Sequence, residues 1–132
     1  MDSEKIPSAK SVNKLLASCS SDFFSNEKLF IAIKESNFFF SICSQQKSKI
    51  YGFVRVTSDK GLNANLWNLC AEPGNNQNLF YLILLKLALE KINREMPGCS
   101  VSVQAPPSSF NSLEESGFIL DPNGIRVMGY KI

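Results

Sequence analysis

The fold is decided by residues 65–94, which read NLWNLCAEPGNNQNLFYLILLKLALEKINR. The first part, Leu66 to Ala71, is apolar apart from one asparagine and predicts a strand. Turn-forming residues from Glu72 to Asn76 then end the apolar run. From Leu79 to Ile92 no Gly or Pro interrupts a series of strong helix formers, and the charged residues fall at the spacing of one solvated face. The stretch therefore predicts a strand, a tight turn and a long buried helix.

The junction between this strand and this helix is the first candidate for a functional site. The first N–H groups of a helix have no intrahelical partner, and the helix dipole places partial positive charge at the same end. Such a junction can bind an anion. It is also the ordinary geometry of a core crossover, since most helix N-termini bind nothing. Both interpretations stay open at this point.

Length and charge restrict the class of protein. The 132 residues are 44% hydrophobic, which suits one domain over residues 1–132 with a single core. The net charge of +2 is spread along the chain without a block of Lys or Arg, so we expect neither nucleic acid nor a membrane surface as partner. The longest apolar run, Leu79 to Leu85, is far short of the roughly 20 residues that a membrane span needs.

Cysteine usage argues against a metal and bears on the compartment. The four cysteines are far apart and the chain has no His, which leaves no close-spaced zinc pattern, so we expect no metal. Met1 to Lys14 is polar and contains no signal-peptide core. Four cysteines suffice for two disulfides, but buried free thiols in a reducing cytoplasm are the simpler expectation.

The rest of the chain predicts a mixed sheet. Ser8 is a candidate N-cap of a first helix, and Leu29 to Ile33 suits a strand or, almost as well, a short helix. Polar linkers occupy 18–26 and 45–49, and further strands are predicted at 38–43, 50–57, 62–71 and 100–104. The last of these is expected to pair in parallel, because a helix connects it to the strand before. A short helix ending at Gly117 and a closing hairpin over 118–132 complete an α/β fold. We expect a mixed, mostly antiparallel sheet of six or seven strands with a long central helix.

Together these elements resemble the GNAT (acyl-CoA N-acyltransferase) superfamily over roughly residues 38–132. Two stretches carry the resemblance most specifically. Residues 69–73, LCAEP, are similar to the end of the family's splayed strand, and residues 112–118, SLEESGF, are similar to its closing helix and Gly-Phe signature. The resemblance implies a GNAT-like fold and a cleft for acetyl-CoA beside the splayed strand.

The resemblance also implies a cofactor-binding stretch. In the family, strand backbone holds the pantetheine, and the backbone amides of an Arg/Gln-x-x-Gly-x-Gly/Ala loop hold the pyrophosphate. At the family's spacing from Pro73 the loop's Arg falls on Asn76 and its glycines on Gln77, Leu79 and Tyr81, so none of the motif residues is kept. Acetyl-CoA binding is therefore expected to be weakened, since an Arg–phosphate contact is worth about 1.5–3 kcal/mol. The implied cofactor-binding residues are Asn68, Leu69, Cys70, Ala71, Gly74, Asn75, Asn76, Gln77, Asn78, Leu79 and Phe80.

The chain also keeps fewer of the catalytic side chains that the resemblance implies. The family commonly uses a carboxylate as general base and a Tyr in the last helix as general acid. Glu72 is the carboxylate at the end of the splayed strand and the one catalytic candidate, with a solvated turn residue as the alternative interpretation. The position of the family's Tyr is Leu113, which cannot transfer a proton. Three tyrosines elsewhere are either donors or packing residues: Tyr51, Tyr81 and Tyr130.

Two functions from different classes follow. The first is acetyl-CoA-dependent acyl transfer to an unidentified small-molecule or peptide amine, which proximity alone can sustain. The second is a catalytically inactive GNAT-like binding or regulatory module that has lost the pyrophosphate loop. A V-shaped opening between the strands at 66–71 and 100–104 would support the first function, and a closed sheet would oppose it. A homodimer is compatible with both, and an unrelated α/β interaction domain remains only if the fold prediction fails.

Overall fold

The computed structural model of the chain describes residues 6–19, 24–46 and 49–131. Parts of the two predicted linkers, 20–23 and 47–48, and the end of the predicted hairpin, Ile132, lie outside these ranges. The elements are α1 (Ala9–Ser18), α2 (Asn26–Glu35), β1 (Phe38–Cys43), β2 (Ile50–Ser58), β3 (Asn63–Ala71), α3 (Gln77–Glu95), β4 (Ser100–Val103) and α4 (Phe110–Glu115). None of the helices in the described ranges is long and apolar enough to cross a membrane.

The sheet has the order β1-β2-β3-β4. β1 pairs with β2 and β2 with β3 in antiparallel orientation, whereas β3 pairs with β4 in parallel. The connection from β3 to β4 runs through α3, which at 19 residues is the longest helix of the described part. The predicted mixed sheet, long helix and parallel crossover are therefore confirmed.

The number of strands was predicted incorrectly. The described chain forms four strands rather than six or seven, and residues 118–131 contain no strand. The apolar side chains of this segment, which we call the C-terminal segment, stay largely exposed, with Tyr130 at 91%. The backbone leaves the extended region at Asp121 and Asn123, which have φ values of 47° and 56°. The alternating sequence is compatible with a strand, but no described strand edge pairs with it.

The ambiguous segment from Leu29 to Ile33 lies in α2. Ser25 caps this helix by accepting a hydrogen bond from the Lys28 N–H at 3.2 Å. Leu29 and Ile33 are four residues apart and both buried, which is the spacing of one helix face. The cap and this pair explain why the segment is a helix and not a strand, the two possibilities that the sequence left open.

Two apolar clusters pack against the two faces of the sheet. α3 and α4 cover one face, where Leu66, Leu84 and Leu85 are fully buried. α1 and α2 cover part of the other face, around Phe53. At about 25 cal/mol per Å² of buried apolar surface, these two clusters are the main stabilising contribution to the fold.

The prediction of four free thiols was wrong for two of the cysteines. Cys19, at the end of α1, and Cys70, in β3, form a disulfide across a sequence separation of 51. Cys43 and Cys99 are free. Spacing along the chain says nothing about this pairing, because α1 packs on the sheet only in the folded state.

Candidate functional site

On the side of β4, β3 has no strand partner after Leu66 in the described part of the chain, and we call this stretch of its edge the opening beside β3. The parallel pairing begins at Asn63 with Ser100 and stops at Leu66 with Val103, although β3 continues to Ala71. The last contact is a 3.4 Å hydrogen bond from the Gln104 N–H to the Leu66 carbonyl. Because β4 ends at Val103, residues 67–71 of β3 have no strand partner on this side among the described residues; a V-shaped opening between diverging strands stays a prediction.

The last residues of β3 direct backbone groups to this opening, although Leu69 and Ala71 are buried, at 3% and 0% exposure. The Glu72 N–H donates to the Tyr51 carbonyl of β2 at 2.8 Å. Because backbone groups alternate in direction along a strand, those of Leu69 and Ala71 point away from β2, toward the opening. No described backbone group pairs with them there. The edge therefore has backbone groups without a strand partner, of which the Ala71 carbonyl accepts from a side chain, that of Gln77.

The start of α3 adds two further donors. Gln77 is its first residue, and its N–H donates to the Gly74 carbonyl at 3.3 Å. The next two N–H groups, of Asn78 and Leu79, have no backbone partner among the described residues, and the Asn76 side chain does not cap them. An uncapped helix start of this kind favours an anion.

The turn before α3 leaves room for a ligand. Gly74 has a φ of 139°, which favours glycine, and a Cβ built there would meet nothing within 4 Å. Asn75 and Asn76 are exposed. The glycines of the family loop are absent, but the one glycine of this turn lies in open space.

One side chain already occupies the edge of β3. The Gln77 amide donates from Nε2 to the Ala71 carbonyl at 3.0 Å. Phe80, one turn further along α3, stacks on Tyr51 with ring centroids 5.8 Å apart. A ligand that uses the Ala71 carbonyl must therefore displace the Gln77 amide.

Asn68 is a bulge residue at the vertex of the opening. Phe53 pairs with Cys70 and Arg55 with Trp67, so β3 carries an additional residue between these pairs. Asn68 has a φ of 55°, in the left-handed region that asparagine tolerates better than most residues. The bulge reverses which residues of β3 face β4, and it does so where the pairing with β4 ends.

Glu72, the predicted general base, is engaged in an ion pair. Its carboxylate lies 2.8 Å from Lys49 Nζ, and this hydrogen bond, followed by the charge of Glu72, raises the pKa of Lys49. The pair lies beside the start of β2, where Lys49 Nζ is 5.3 Å from the centre of the Tyr51 ring. The catalytic role of Glu72 stays a prediction.

A pair of hydroxyl groups lies near α4. Leu113, at the position of the family's Tyr, is buried in the core. Tyr81 of α3 is also fully buried, and its hydroxyl is 2.7 Å from the Ser108 hydroxyl in the short 3-10 helix between β4 and α4. The Ser112 hydroxyl bonds to Asn78 and ties α4 to the start of α3. Tyr81 is thus the described tyrosine that combines burial with a hydrogen-bonded hydroxyl.

Sequence analysis missed a group of residues on the other face of the sheet. Arg55 of β2 hydrogen-bonds to the bulge residue Asn68 and contacts Trp67. An arginine inside the apolar run from Phe53 to Val56 is the one signal in the sequence that marks this position. Its partners follow from the register of β2 against β3, which the sequence does not specify.

Metal-ligating residues do not cluster in the described ranges, where no group of three or more His, Cys, Asp or Glu side chains is arranged to hold a metal ion.

Comparisons with known proteins agree with the fold and with the resemblance. No protein-family model matches the chain. The uncharacterized N-acetyltransferase ycf52 of Pyropia yezoensis is 28% identical over 104 residues, which cover 77% of this chain and 59% of that protein. The chain thus spans less than two thirds of the length of this relative.

Solved structures with the same fold cover nearly all of the chain. A probable acetyltransferase of Staphylococcus aureus has a TM-score of 0.85 at 15% identity, covering 97% of this chain and 96% of that one. An acetyltransferase of the GNAT family from Streptococcus pneumoniae has a TM-score of 0.71 at 17% identity, covering 99% and 95%. At these identities the likeness shows the fold.

The class that emerges is an α/β protein with a GNAT-like fold. The predicted resemblance to the GNAT superfamily is confirmed by the N-acetyltransferase relative and by the GNAT structure neighbours.

Proposed function

We propose that the chain is an acetyl-CoA-dependent N-acyltransferase that acts on an amine. The observation that carries the proposal is the unpaired edge of β3 from Leu69 to Ala71, which leads toward the uncapped start of α3. Unpaired strand backbone can bind an extended chain, and helix N–H groups can bind a phosphate. The names of the sequence relative and of the structure neighbours, all acetyltransferases, support the same function.

The residues present fit acetyl-CoA through backbone groups. The backbone of Leu69 and Ala71 would hold the pantetheine, and the N–H groups of Asn78 and Leu79 would hold the pyrophosphate. Two helix N–H groups without a backbone partner in the described ranges and the open space at Gly74 favour this interpretation. The missing Arg contact predicts weaker binding than in a family member that keeps it. The remaining predicted contacts, from Asn68 to Phe80, belong to the same proposal.

Few side chains are available for proton transfer in this proposal. When bound, acetyl-CoA supplies a thioester carbonyl that a neutral amine attacks, with the CoA thiolate as leaving group. The Tyr81 and Ser108 hydroxyls would hold a proton for transfer, since they bond to one another at 2.7 Å. Glu72 would accept a proton only after its ion pair with Lys49 opens. Positioning of the reactants would supply most of the rate enhancement.

The alternative is an inactive GNAT-like module. The loss of the loop motif favours it, since Asn76, Gln77, Leu79 and Tyr81 stand at the motif positions. It has no specific support from the relatives, whose names describe acetyltransferases.

The acceptor amine, small-molecule or peptide, and a cytoplasmic location remain parts of the proposal.

A homodimer also remains part of the proposal. β4 is an edge strand, and the C-terminal segment exposes apolar side chains such as Val127 and Met128, at 79% and 91%. An open edge and exposed apolar residues are typical of surfaces that associate. Sedimentation velocity distinguishes a monomer from a dimer directly.

Calorimetric titration with acetyl-CoA and with CoA tests the proposed function. We expect micromolar dissociation constants that rise with salt, because phosphate contacts are screened. A ligand present at about 100 times its dissociation constant should also stabilise the fold by about 2.7 kcal/mol. Absence of both heat and thermal shift at ~1 mM ligand, about 100 times a ~10 μM constant, would leave only the inactive module.

A further inference from the structure

The sheet face opposite α3 is only partly covered. α1 and α2 bury the apolar residues around Phe53 there, whereas half-buried residues next to them remain in contact with solvent. We call this second set the polar platform; it consists of Ser36, Arg55, Thr57, Trp67 and Asn68. It does not belong to either apolar cluster.

Arg55 occupies the centre of the polar platform. Its Nε donates to Asn68 Oδ1 at 2.7 Å, and its Nη1 donates to Ser36 Oγ at 3.4 Å. Its guanidinium carbon lies 5.8 Å from the centre of the Trp67 ring, within the range of a cation–π contact. Trp67 is itself fixed, because its Nε1 donates to Thr57 Oγ1 at 2.8 Å. The guanidinium is therefore held in one place.

The guanidinium keeps unused hydrogen-bonding capacity. It has five N–H groups, of which Asn68 and Ser36 take two, so three have no partner among the described residues. No Asp or Glu of the described ranges forms an ion pair with Arg55. Burial lowers the pKa of Arg55, which agrees with its partial removal from water. A half-buried cation without a counter-ion is costly, and a bound anion relieves that cost.

The polar platform borders the proposed acyl-transfer site. Asn68, the hydrogen-bond partner of Arg55, is the bulge residue at which the opening beside β3 begins. A ligand bound to Arg55 would thus lie next to the strand edge that is proposed to hold acetyl-CoA. We propose that the acceptor is an amine that carries a carboxylate, and that Arg55 binds this carboxylate beside Asn68. The inference rests on the proposed function for the fate of the amine.

The surroundings of Arg55 favour a carboxylate over a phosphate. The side chains that contact the guanidinium, those of Ser36, Trp67 and Asn68, are neutral. One positive charge balances one carboxylate, whereas a phosphate monoester carries about −1.5 to −2 charges at neutral pH. The planar guanidinium also matches a carboxylate in shape.

Direct binding of model amines tests the inference without acetyl-CoA. Trp67 is the only tryptophan of the chain, so its indole N–H gives a single NMR signal that reports on the polar platform. The probes are alanine with alaninamide, phenylalanine with phenylalaninamide, and phosphoethanolamine. We expect each acid to shift the Trp67 signal and to bind at least about tenfold more tightly than its amide, as a charge-assisted hydrogen bond predicts.

Two variants assign the effect to Arg55. Arg55→Gln should abolish the preference for the acid, whereas Arg94→Gln, which removes an exposed arginine of α3, should keep it. The acid and amide comparison in the natural sequence decides the matter if Arg55→Gln does not fold. Equal binding of acid and amide, no shift with either acid, or an unchanged preference in folded Arg55→Gln would overturn the inference. Tighter binding of phosphoethanolamine than of the acids would overturn the choice of carboxylate.

The outcome is separable from that of the proposed function. Failure of acetyl-CoA to bind, together with binding of the acids, would remove the transferase and keep the carboxylate site. Binding of acetyl-CoA without binding of the acids would keep the transferase and remove the carboxylate site.

Discussion

Replacement of Leu79 by proline should weaken acetyl-CoA binding by removing one backbone N–H. Leu79 is the third residue of α3, it is 53% exposed, and its N–H has no partner in the described part of the chain. Proline is tolerated in the first turn of a helix because the missing N–H makes no intrahelical bond there. The substitution therefore removes a proposed phosphate donor while the helix keeps its backbone hydrogen bonds.

The expected loss follows from the strength of one hydrogen bond to a charged group. Such a bond is worth about 1.5–3 kcal/mol, which corresponds to an increase in the dissociation constant of about 10- to 150-fold. Leu79→Ala is the matched control, because it removes the same side chain and keeps the N–H. Calorimetry gives the two dissociation constants, and circular dichroism checks that both variants fold.

The comparison between the two variants has a clear refuting result. If folded Leu79→Pro binds acetyl-CoA as tightly as Leu79→Ala, the N–H of residue 79 does not contact the phosphates. The proposed role of the start of α3 would then be wrong, even if the protein binds acetyl-CoA elsewhere.

Four further predictions concern other parts of the structure. Reduction of the Cys19–Cys70 disulfide should lower the free energy of unfolding by about 4 kcal/mol, the chain-entropy value for a loop of this length. Urea titrations with and without reductant measure this difference, and an unchanged midpoint would contradict the prediction. Gln77→Ala should tighten acetyl-CoA binding about 2- to 10-fold, since one neutral hydrogen bond no longer competes, whereas weaker binding in calorimetry would speak against this. Tyr81→Phe should slow acyl transfer at least about 100-fold with an unchanged acetyl-CoA affinity if its hydroxyl transfers the proton, and an unchanged rate would exclude that role. Three backbone N–H groups, that of Asn63 contributing most, lower the pKa of Asp59 below 3.8. The stabilisation by the Asp59 carboxylate should therefore be present above pH 3.8 and be lost as pH falls through the folded-state pKa. The difference in urea midpoint between the natural protein and Asp59→Asn should shrink in acid, and a difference that does not shrink would disprove the prediction.

The sequence predicts the elements whose signals are local. The strand before Glu72, the turn at Gly74 and the helix after it are marked by apolar runs, turn residues and helix formers within a few positions of one another. The parallel pairing of β4 then follows from topology alone. The resemblance predicts an opening beside β3, and the pairing of β3 with β4 stops at Leu66.

Features that depend on contacts distant in sequence were not predictable. The disulfide joins Cys19 to Cys70 across 51 positions, and the contact of Arg55 with Asn68 depends on a bulge in the register. The alternating residues of the C-terminal segment suggest a strand, but a strand needs a partner edge, and local pattern does not supply one.

The central claim is that backbone groups of β3 and α3 bind acetyl-CoA. A titration of ¹⁵N-labelled protein with acetyl-CoA, followed by NMR, tests it directly. We expect the largest shifts at the amides of Leu69, Ala71, Asn78 and Leu79, with little change at the hairpin turn around Asp59. Shifts confined to other parts of the chain, or no shifts at all, would contradict the account.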